Sequence, residues 1–481
     1  MLCKIVIRDE VNCKLEGLDV DTRRRLVAKF KYEVPYARHL PSVKLGRWDG
    51  KVAYFQLGGS TYINLLPEVI EYLTERNWEF EIEDNRVSRQ SFQFTQVDSS
   101  TFAHKTWPVG HPNVGQPIVL RDYQIDIINE FLGDTQCVQE VATGAGKTIM
   151  TAALSLMVEP HGRTIVIVPS KSLVTQTEAD YINLGLDVGV YFGERKELGH
   201  THTISTWQSL NSLYKSSKGV GKDWTAMTNV SALIVDEAHQ AKAEVLKALL
   251  TTEFAHVPIR WGLTGTIPKE EFEKVALLVS VGKVTSKLTA SELQERGVLS
   301  NCHVNIVQTV EYSDFRNYQE ELKYLTTNKD RLDHMASLIS EVIKTGNTLV
   351  LVDRRECGDE LVARLPNSVF VQGDMKNAKR KEHYDEIANV SDKIIVATYG
   401  VAAVGINVPR IFNLVLIEPG KSFVRVIQSI GRGIRKAEDK DFVQIWDLTA
   451  DCKFAKRHLT KRKQFYREAN YPFTQEKSIY K

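Results

Sequence analysis

The chain has 481 residues, and its 62 Lys and Arg residues nearly balance 60 Asp and Glu residues, giving a net charge of +2. At roughly 150 residues per domain this length predicts about three domains, and the charge balance excludes both a histone-like basic protein and a strongly acidic one. A hydrophobic content of 43% and a charged content of 25% exclude collagen-like, low-complexity and mostly disordered chains.

The cysteine pattern and the hydropathy indicate a soluble intracellular protein. The six cysteines are widely spaced and include no C-x-x-C pair, so neither a zinc ribbon nor a secreted disulfide framework is expected. No stretch approaches the ~18 consecutive apolar residues that a membrane span requires. We therefore expect a cytoplasmic protein without a membrane partner.

The first 118 residues predict a small domain and a linker. Residues 1–95 combine a short alternating strand (CKIVIRDEV) with two helix patterns (DVDTRRRLVAKF and PEVIEYLTERN), which is typical of a small α+β domain. Residues 96–118 contain three prolines and several Gly, Ser and Asn without an apolar period, as expected of a linker.

Two α/β lobes are predicted after the linker. In residues 119–286, short β-branched runs such as TIVIVP and ALIVDE alternate with helix patterns, which is the rhythm of a parallel sheet. The rhythm resumes in residues 331–450 with NTLVLVD, SVFVQG, KIIVAT and NLVLIE. Residues 287–330 are predicted to connect the lobes. The predicted fold class is therefore α/β, with two tandem parallel-sheet domains.

The last 31 residues are locally basic. Residues 451–481 contain nine Lys and Arg against three Asp and Glu, so we predict a basic C-terminal tail. Its cations suit contact with phosphates of a polyanion, and its aromatic residues suit packing on the second lobe.

The segment QEVATGAGKT at 139–148, between a strand pattern and a helix pattern, resembles a phosphate-binding loop. Its glycines would let backbone N–H groups approach phosphate oxygens, its lysine would meet the β and γ phosphates of ATP, and its last threonine would join a Mg²⁺ shell. The residues expected to bind the nucleotide are Thr143, Gly144, Ala145, Gly146, Lys147 and Thr148. Val141 stands where the general pattern has its first glycine.

An acidic pair follows the apolar run ALIV. We expect Asp236 to hold Mg²⁺ through its water shell and Glu237 to orient the attacking water and accept its proton.

In the second lobe, QSIGRGIR places Gln428, Arg432 and Arg435 on one helical face. Guanidinium groups there could stabilise charge on the transferred phosphoryl group, and the spacing leaves open which arginine acts.

The ordered segments LRDYQ, ATGAGKT, VPSKSLVTQ, STWQSL, VDEAHQ, LTGT, ATYGVAAVGINVP and QSIGRGIR resemble the motifs of superfamily 2 helicases and translocases of the DEAH-box kind. They span about residues 120–436. The resemblance implies two RecA-like domains with ATP at their interface.

The same resemblance implies roles for particular residues. Arg121 and Gln124 would lie near the adenine, and Gly405 near the ATP cleft. The residues implied to couple hydrolysis to strand movement are His239, Thr264 and Thr266. The residues implied to contact the nucleic-acid backbone are Pro169, Ser170, Thr206 and Thr398.

The N-terminal segment HLPSVKLGRWDGKVAYFQLGGSTYINLLPEVIEYL resembles the opening domain of phage recombination helicases of the UvsW type, which remodel branched DNA. This implies a phage-encoded protein acting in a bacterial host. Arg47, Trp48 and Lys51 are candidate nucleic-acid contacts. The alternative is a tryptophan packed under a hairpin beside two solvated cations.

We predict an ATP- and Mg²⁺-dependent DNA helicase or translocase that acts as a monomer on branched DNA. The choice of substrate by residues 1–95 is predicted to be physically separable from the ATP chemistry of the motor. An RNA substrate stays open, because phosphate contacts do not distinguish the two polymers. Two further alternatives are a scaffold with an inactive nucleotide site and a translocase subunit of a larger DNA-processing complex. Intact motif residues argue against the scaffold, and no nuclease-like domain supports the subunit.

Overall fold

The computed structural model consists of two compact units. The first comprises residues 1–140 and 147–287, and the second residues 141–146 and 288–481. The structure describes residues 1–86, 91–109, 111, 113–242, 244–373, 375, 382–383, 386, 390–405, 410–422, 426, 429–431, 433–434 and 439–480.

The first unit opens with a small α+β part. Its strands are β1 (Leu2–Ile7), β2 (Asn12–Glu16), β3 (Lys31–Glu33), β4 (Lys51–Ala53), β5 (Ser60–Tyr62) and β6 (Glu79–Asp84), and its helices are α1 (Val20–Lys29), α2 (Pro41–Lys44) and α3 (Leu66–Thr74). Four strands form a sheet in the order β5-β2-β1-β6, and β3 pairs with β4. Asp19 caps α1, because its side chain accepts a hydrogen bond from the Thr22 N–H (2.8 Å).

A larger, mostly parallel sheet follows in the same unit. Its strands are β7 (Gln136–Val141), β8 (Thr164–Val168), β9 (Val188–Phe192), β10 (Arg195–Lys196), β11 (His202–Thr206), β12 (Ala232–Asp236), β13 (Ile259–Thr264) and β14 (Lys283–Leu288). The helices are α4 (Asp122–Leu132), α5 (Lys147–Val158), α6 (Lys171–Asn183), α7 (Trp207–Ser217), α8 (Lys222–Thr228), α9 (Glu244–Ala248) and α10 (Glu271–Ser280). The strand order is β10-β9-β11-β8-β12-β13-β7-β14.

The small α+β part packs on helix α10. Val275, Ala276 and Val279 of this helix lie in the same buried cluster as side chains of the small sheet. The Tyr54 hydroxyl donates to the Phe272 carbonyl (3.0 Å), and Asn12 Nδ2 donates to the Thr251 carbonyl (2.8 Å). The small α+β part therefore shares a hydrophobic core with the rest of the unit. The separation of its function from that of the motor stays a prediction.

The second unit contains a parallel sheet in the order β17-β18-β16-β19-β20-β15-β21. Its strands are β15 (Asn301–Thr309), β16 (Thr348–Val352), β17 (Ser368–Val371), β18 (Ile394–Thr398), β19 (Asn413–Ile417), β20 (Phe442–Ala450) and β21 (Phe473–Ser478). The helices are α11 (Ala290–Glu295), α12 (Tyr318–Thr327), α13 (Lys329–Val342), α14 (Arg355–Val362), α15 (Tyr399–Gly405) and α16 (Lys453–Glu468). Two parallel-sheet units in tandem confirm the predicted α/β fold class.

The second sheet reaches beyond residues 331–450. Strand β15, within the segment predicted as a connection, pairs in parallel with β20 over its whole length. Strand β21, within the segment predicted as a tail, pairs in parallel with β15 from Phe473 to Ser478. Both segments therefore contribute strands to this sheet.

Across the described residues, none of the helices combines the length and apolar character needed to span a membrane.

Candidate functional site

The turn between β7 and α5 has the backbone of a phosphate-binding loop. Gly144 (φ +94°) and Gly146 (φ +87°) adopt left-handed conformations, which glycine reaches without the steric cost of a side chain. Ala145 is buried between them. Val141 is the buried last residue of β7, so the position where the general motif has glycine is occupied here by a strand residue.

Helix α5 begins directly after this turn with Lys147, whose ammonium forms an ion pair with Glu237. Lys147 Nζ lies 3.2 Å from Glu237 Oε1, and the two side chains are 13% and 12% exposed. Glu237 follows the last residue of β12, and its backbone is left-handed (φ +53°). A non-glycine residue in this conformation costs about 1–2 kcal/mol. Such strain is typical of functional sites.

A chain of polar contacts leads from Glu237 to the end of β13. His239 Nδ1 lies 2.9 Å from Thr264 Oγ1 and 3.4 Å from Glu237 Oε2. The Thr264 hydroxyl donates its single proton to the Thr266 carbonyl (2.9 Å). With that proton used, a protonated Nδ1 of His239 would be the donor in its contact with Thr264.

These residues fit a nucleotide with Mg²⁺. The left-handed turn precedes a 12-residue helix, whose first N–H groups and positive end suit phosphate oxygens. Thr148 and Asp236 are half-buried and supply hydroxyl and carboxylate oxygens, the ligand type that Mg²⁺ prefers. Lys147 adds the cation that the phosphates require.

Arg121 and Gln124 begin helix α4. The Gln124 side chain is buried, and its Oε1 accepts a hydrogen bond from the Arg121 N–H (2.9 Å). The Arg121 guanidinium donates to the Tyr123 hydroxyl (2.9 Å). The contact between Gln124 and Arg121 fixes the start of the helix, because it satisfies a backbone donor that has no partner within the helix.

A groove of about 380 Å³ lies at the carboxyl ends of β8 and β11. The structure brings Pro169, Ser170 and Thr206 together on its wall. Ser170 accepts from the Leu173 N–H (3.3 Å) and caps α6, while Thr206 caps α7. The other lining residues are Lys171, Gly193, Lys196, Gln208, Ser209 and Ser212.

Two family models match the chain, one over the large sheet of the first unit and one over the second unit. The model of the type III restriction enzyme res subunit matches residues 117–269, and the model of the helicase conserved C-terminal domain matches residues 330–437. The chain belongs to the superfamily 2 helicases. It is an ATP-driven nucleic-acid helicase.

The relatives agree with this family. The ATP-dependent DNA helicase uvsW of Enterobacteria phage T4 is 23% identical over 464 residues, covering 92% of this chain and 89% of that protein. The DNA 3'-5' helicase XPB of Mycobacterium tuberculosis is 23% identical over 384 residues, covering 74% of this chain and 65% of that protein. The DNA-bound type ISP restriction-modification enzyme LlaBIII shares the fold, with a TM-score of 0.57 at 15% identity over 86% of this chain and 36% of that one.

Several predicted site residues of the helicase belong to the second unit. Thr398 ends strand β18, and its Oγ1 accepts a hydrogen bond from the Val401 N–H (3.4 Å). Gly405 is the last residue of α15. The residues predicted to stabilise phosphoryl charge, Gln428, Arg432 and Arg435, lie outside the described residues.

The predicted N-terminal contacts have different environments. Trp48 is half-buried against a cluster that contains Val34 and Phe272, and its Nε1 donates to the Lys51 carbonyl (2.8 Å). The ring is thus packed on one side, and its contact with nucleic acid stays a prediction. The side chains of Arg47 and Lys51 are exposed.

Sequence reasoning missed part of the groove. Gln208 and Ser209 follow Thr206 in the T-x-x-S pattern of a helix start, which could have placed them on the same wall. Lys196 comes from the β9–β10 hairpin, ten residues before Thr206. Its ammonium lies 4.1 Å from the centre of the Tyr191 ring, a contact that no local sequence pattern indicates.

Proposed function

We propose that this protein is an ATP- and Mg²⁺-dependent DNA helicase or translocase that acts as a monomer on branched DNA such as forks and four-way junctions. The relative uvsW is named an ATP-dependent DNA helicase and XPB a DNA 3'-5' helicase, which supports DNA as the polymer. Residues 119–286 and 331–450 would supply the motor, and residues 1–95 would hold the substrate.

The groove and the Lys147–Glu237 pair lie at the same edge of one parallel sheet. Strand β8 pairs in parallel with both β11 and β12, so the groove after β8 adjoins the turn that carries Glu237. In parallel sheets, ligands bind outside the carboxyl ends of the strands. This shared edge is the observation that carries the proposal. It places the ATP site next to the groove, so a change at one strand end can affect the neighbouring strand end.

The ion pair supplies the groups that phosphoryl transfer needs. Lys147 would bind the β and γ phosphates of ATP, and Glu237 would orient a water and accept its proton. Thr148 and Asp236 would hold Mg²⁺, which would offset charge on the phosphate oxygens. The chain from Glu237 through His239 to Thr264 connects the base to the end of β13, so a change at the carboxylate can be transmitted to the strand.

The groove suits a sugar-phosphate backbone. Its wall carries two cations, Lys171 and Lys196, and neutral donors such as Gln208. Lysine and hydroxyl contacts to phosphate position a strand without reading its sequence. We therefore assign the groove to sequence-independent grip of one strand.

The segment 36–47 suits a duplex branch point. It carries three cations and no acid, and it exposes Tyr36 (58%) and Leu45 (65%). Exposed rings and apolar side chains among cations fit unstacked bases next to phosphates. Arg47 belongs to this segment, and the Trp48 ring packs beneath it. We therefore assign to Tyr36 the stacking role first predicted for Trp48.

The polymer is tested by ATP turnover with DNA and RNA oligonucleotides of one sequence. We expect DNA to stimulate turnover, and stimulation by RNA alone would instead support the RNA helicase alternative.

The role of the groove is tested with Gln208→Ala. This variant should raise the DNA concentration for half-maximal stimulation about fivefold, the equivalent of one hydrogen bond. The control is Gln176→Ala on the exposed face of α6, which should change nothing.

A further inference from the structure

Helix α16 presents a basic face to solvent. Five of its cations are exposed and a sixth is half-buried. They are Lys453, Lys456, Arg457, Lys461, Arg467 and Lys463. The helix contains one acid, Glu468, which accepts a hydrogen bond from Gln464 (2.8 Å). With a net charge of only +2 on the whole chain, this concentration is local.

The opposite face fixes the helix to its unit. Arg462, the seventh cation of α16, is fully buried and forms a bidentate ion pair with Asp447 of β20 (2.8 and 2.9 Å). The Tyr466 hydroxyl donates to the same carboxylate (2.7 Å). Arg462 is therefore unavailable for phosphate contact, contrary to the expectation that every cation of this segment serves that purpose.

The start of α16 is held as well. Glu321 of α12 is buried, and its carboxylate accepts hydrogen bonds from the N–H groups of Phe454 (3.0 Å) and Ala455 (2.6 Å). This contact satisfies two N–H groups that lack partners within the helix. Since both ends of the buried face are anchored, the exposed cations keep a fixed arrangement relative to the second sheet.

The histidine of helix α16 does not contribute to its positive charge at neutral pH. His458 lies between the two faces, and burial followed by the charges of Arg462 and Lys421 lowers its pKa to about 4. A histidine that resists protonation in this way adds no charge of its own at neutral pH. The positive charge of the helix therefore comes from its lysines and arginines.

We propose that the exposed face of α16 binds the phosphate backbone of a duplex DNA arm. From Lys453 to Arg467 the helix rises about 21 Å, the axial length of about six phosphates of one strand. The six cations are therefore spread over the length of about six phosphates of one strand. The helix lies beyond residue 437, where the second family model ends, so this surface is additional to the motor.

Charge complementarity favours duplex DNA over a protein partner. The face offers cations and polar groups rather than the exposed aromatic or aliphatic anchors that protein interfaces use. A fixed helix that belongs to the second unit would hold the duplex while the groove grips a single strand. This inference rests on the proposed function, since it names a second contact for the same substrate.

The test compares two triple variants of the full chain that change net charge equally. Lys456→Gln, Arg457→Gln and Lys461→Gln alter the basic face. Lys323→Gln, Lys329→Gln and Lys344→Gln alter exposed lysines elsewhere in the same unit. Affinity for a blunt 30-base-pair DNA duplex is measured by fluorescence anisotropy over a series of salt concentrations, with thermal unfolding as a check on folding.

We expect the first triple variant to flatten the slope of log K against log salt by about 2 to 3, because three fewer phosphates are neutralised. The second should keep the wild-type slope. Equal slopes in the first variant and the wild type, or equal flattening in both variants, would overturn the assignment. Failure of the wild-type protein to unwind any branched DNA would instead count against the proposed function.

Discussion

Lys147 Nζ lies 3.2 Å from Glu237 Oε1, and both side chains are largely buried. Each charge compensates the other in a site where an unpaired charge would be costly. ATP phosphates must therefore compete with Glu237 for the ammonium. This relationship links nucleotide binding to the residue proposed as the base.

The two partners should give different defects when replaced. Lys147→Ala should weaken nucleotide binding and abolish hydrolysis, whereas Glu237→Gln should bind ATP at least as tightly as the wild type, because a neutral amide releases the ammonium. Turnover of Glu237→Gln should fall by a factor of about 100 or more. Nucleotide affinity and ATP turnover are measured separately, and an equal loss of affinity in both variants would contradict the assigned roles.

Thr264 is expected to couple ATP hydrolysis to movement along the nucleic-acid strand, without taking part in the hydrolysis itself. Thr264→Ala removes the acceptor for His239 Nδ1 and the donor to the Thr266 carbonyl, a loss of about 1–1.5 kcal/mol. ATP turnover should stay within a few-fold of wild type, while base pairs unwound per ATP should fall about tenfold. Thr252→Ala, at an exposed threonine of the same unit, is the control. Equal falls in turnover and unwinding would place Thr264 in the chemical step instead.

The shared core predicts that the N-terminal part cannot be removed cleanly. Deleting residues 1–86 exposes Val275, Ala276 and Val279 of α10, so the truncated protein should aggregate or unfold at a lower temperature. In the full chain, Tyr36→Ala removes one ring contact with Phe272, so it should lower the thermal midpoint far less than the truncation and reduce unwinding of four-way junctions. Calorimetry and a junction assay test the two expectations. A truncated protein as stable and soluble as the full chain would disprove the shared core.

The buried pair between Asp447 and Arg462 should be worth far more than a surface pair. Asp447→Ala leaves a fully buried guanidinium without its carboxylate, which should lower the free energy of unfolding by about 3–5 kcal/mol. The matched control is Asp439→Ala, which breaks an exposed pair with Arg410 (2.7 Å) and should cost less than about 1 kcal/mol. Urea unfolding measures both, and similar losses would show that burial does not set the difference.

The sequence predicts best where local pattern decides the structure. The run ALIVDE predicts strand β12 and its terminal acids, because a strand buried on both faces must be apolar until it reaches the sheet edge. The turn ATGAGKT is equally local, since its glycines are required by positive φ angles. Roles for Arg432 and Arg435 stay predictions, because both lie outside the described residues.

Structure is harder to predict from sequence where contacts with residues distant in the chain determine it. Strand β21 (FTQEKS) has no apolar run, and it forms at the sheet edge only because β15 offers an unpaired side. The burial of Arg462 could have been read from the helix, since it continues the stripe of Ala455, Leu459 and Tyr466 at spacings of three and four. Its partner Asp447 could not, because no local pattern marks a buried carboxylate.

The most direct test of the account is an ATP-dependent unwinding assay across substrates that share one sequence: a fork, a four-way junction, a 3'-tailed duplex and a blunt duplex. We expect the wild-type protein to resolve the fork and the junction faster than either linear duplex, and Glu237→Gln to resolve none of them. Equal rates on branched and linear DNA, or resolution of junctions by Glu237→Gln, would contradict ATP-driven remodelling of branched DNA.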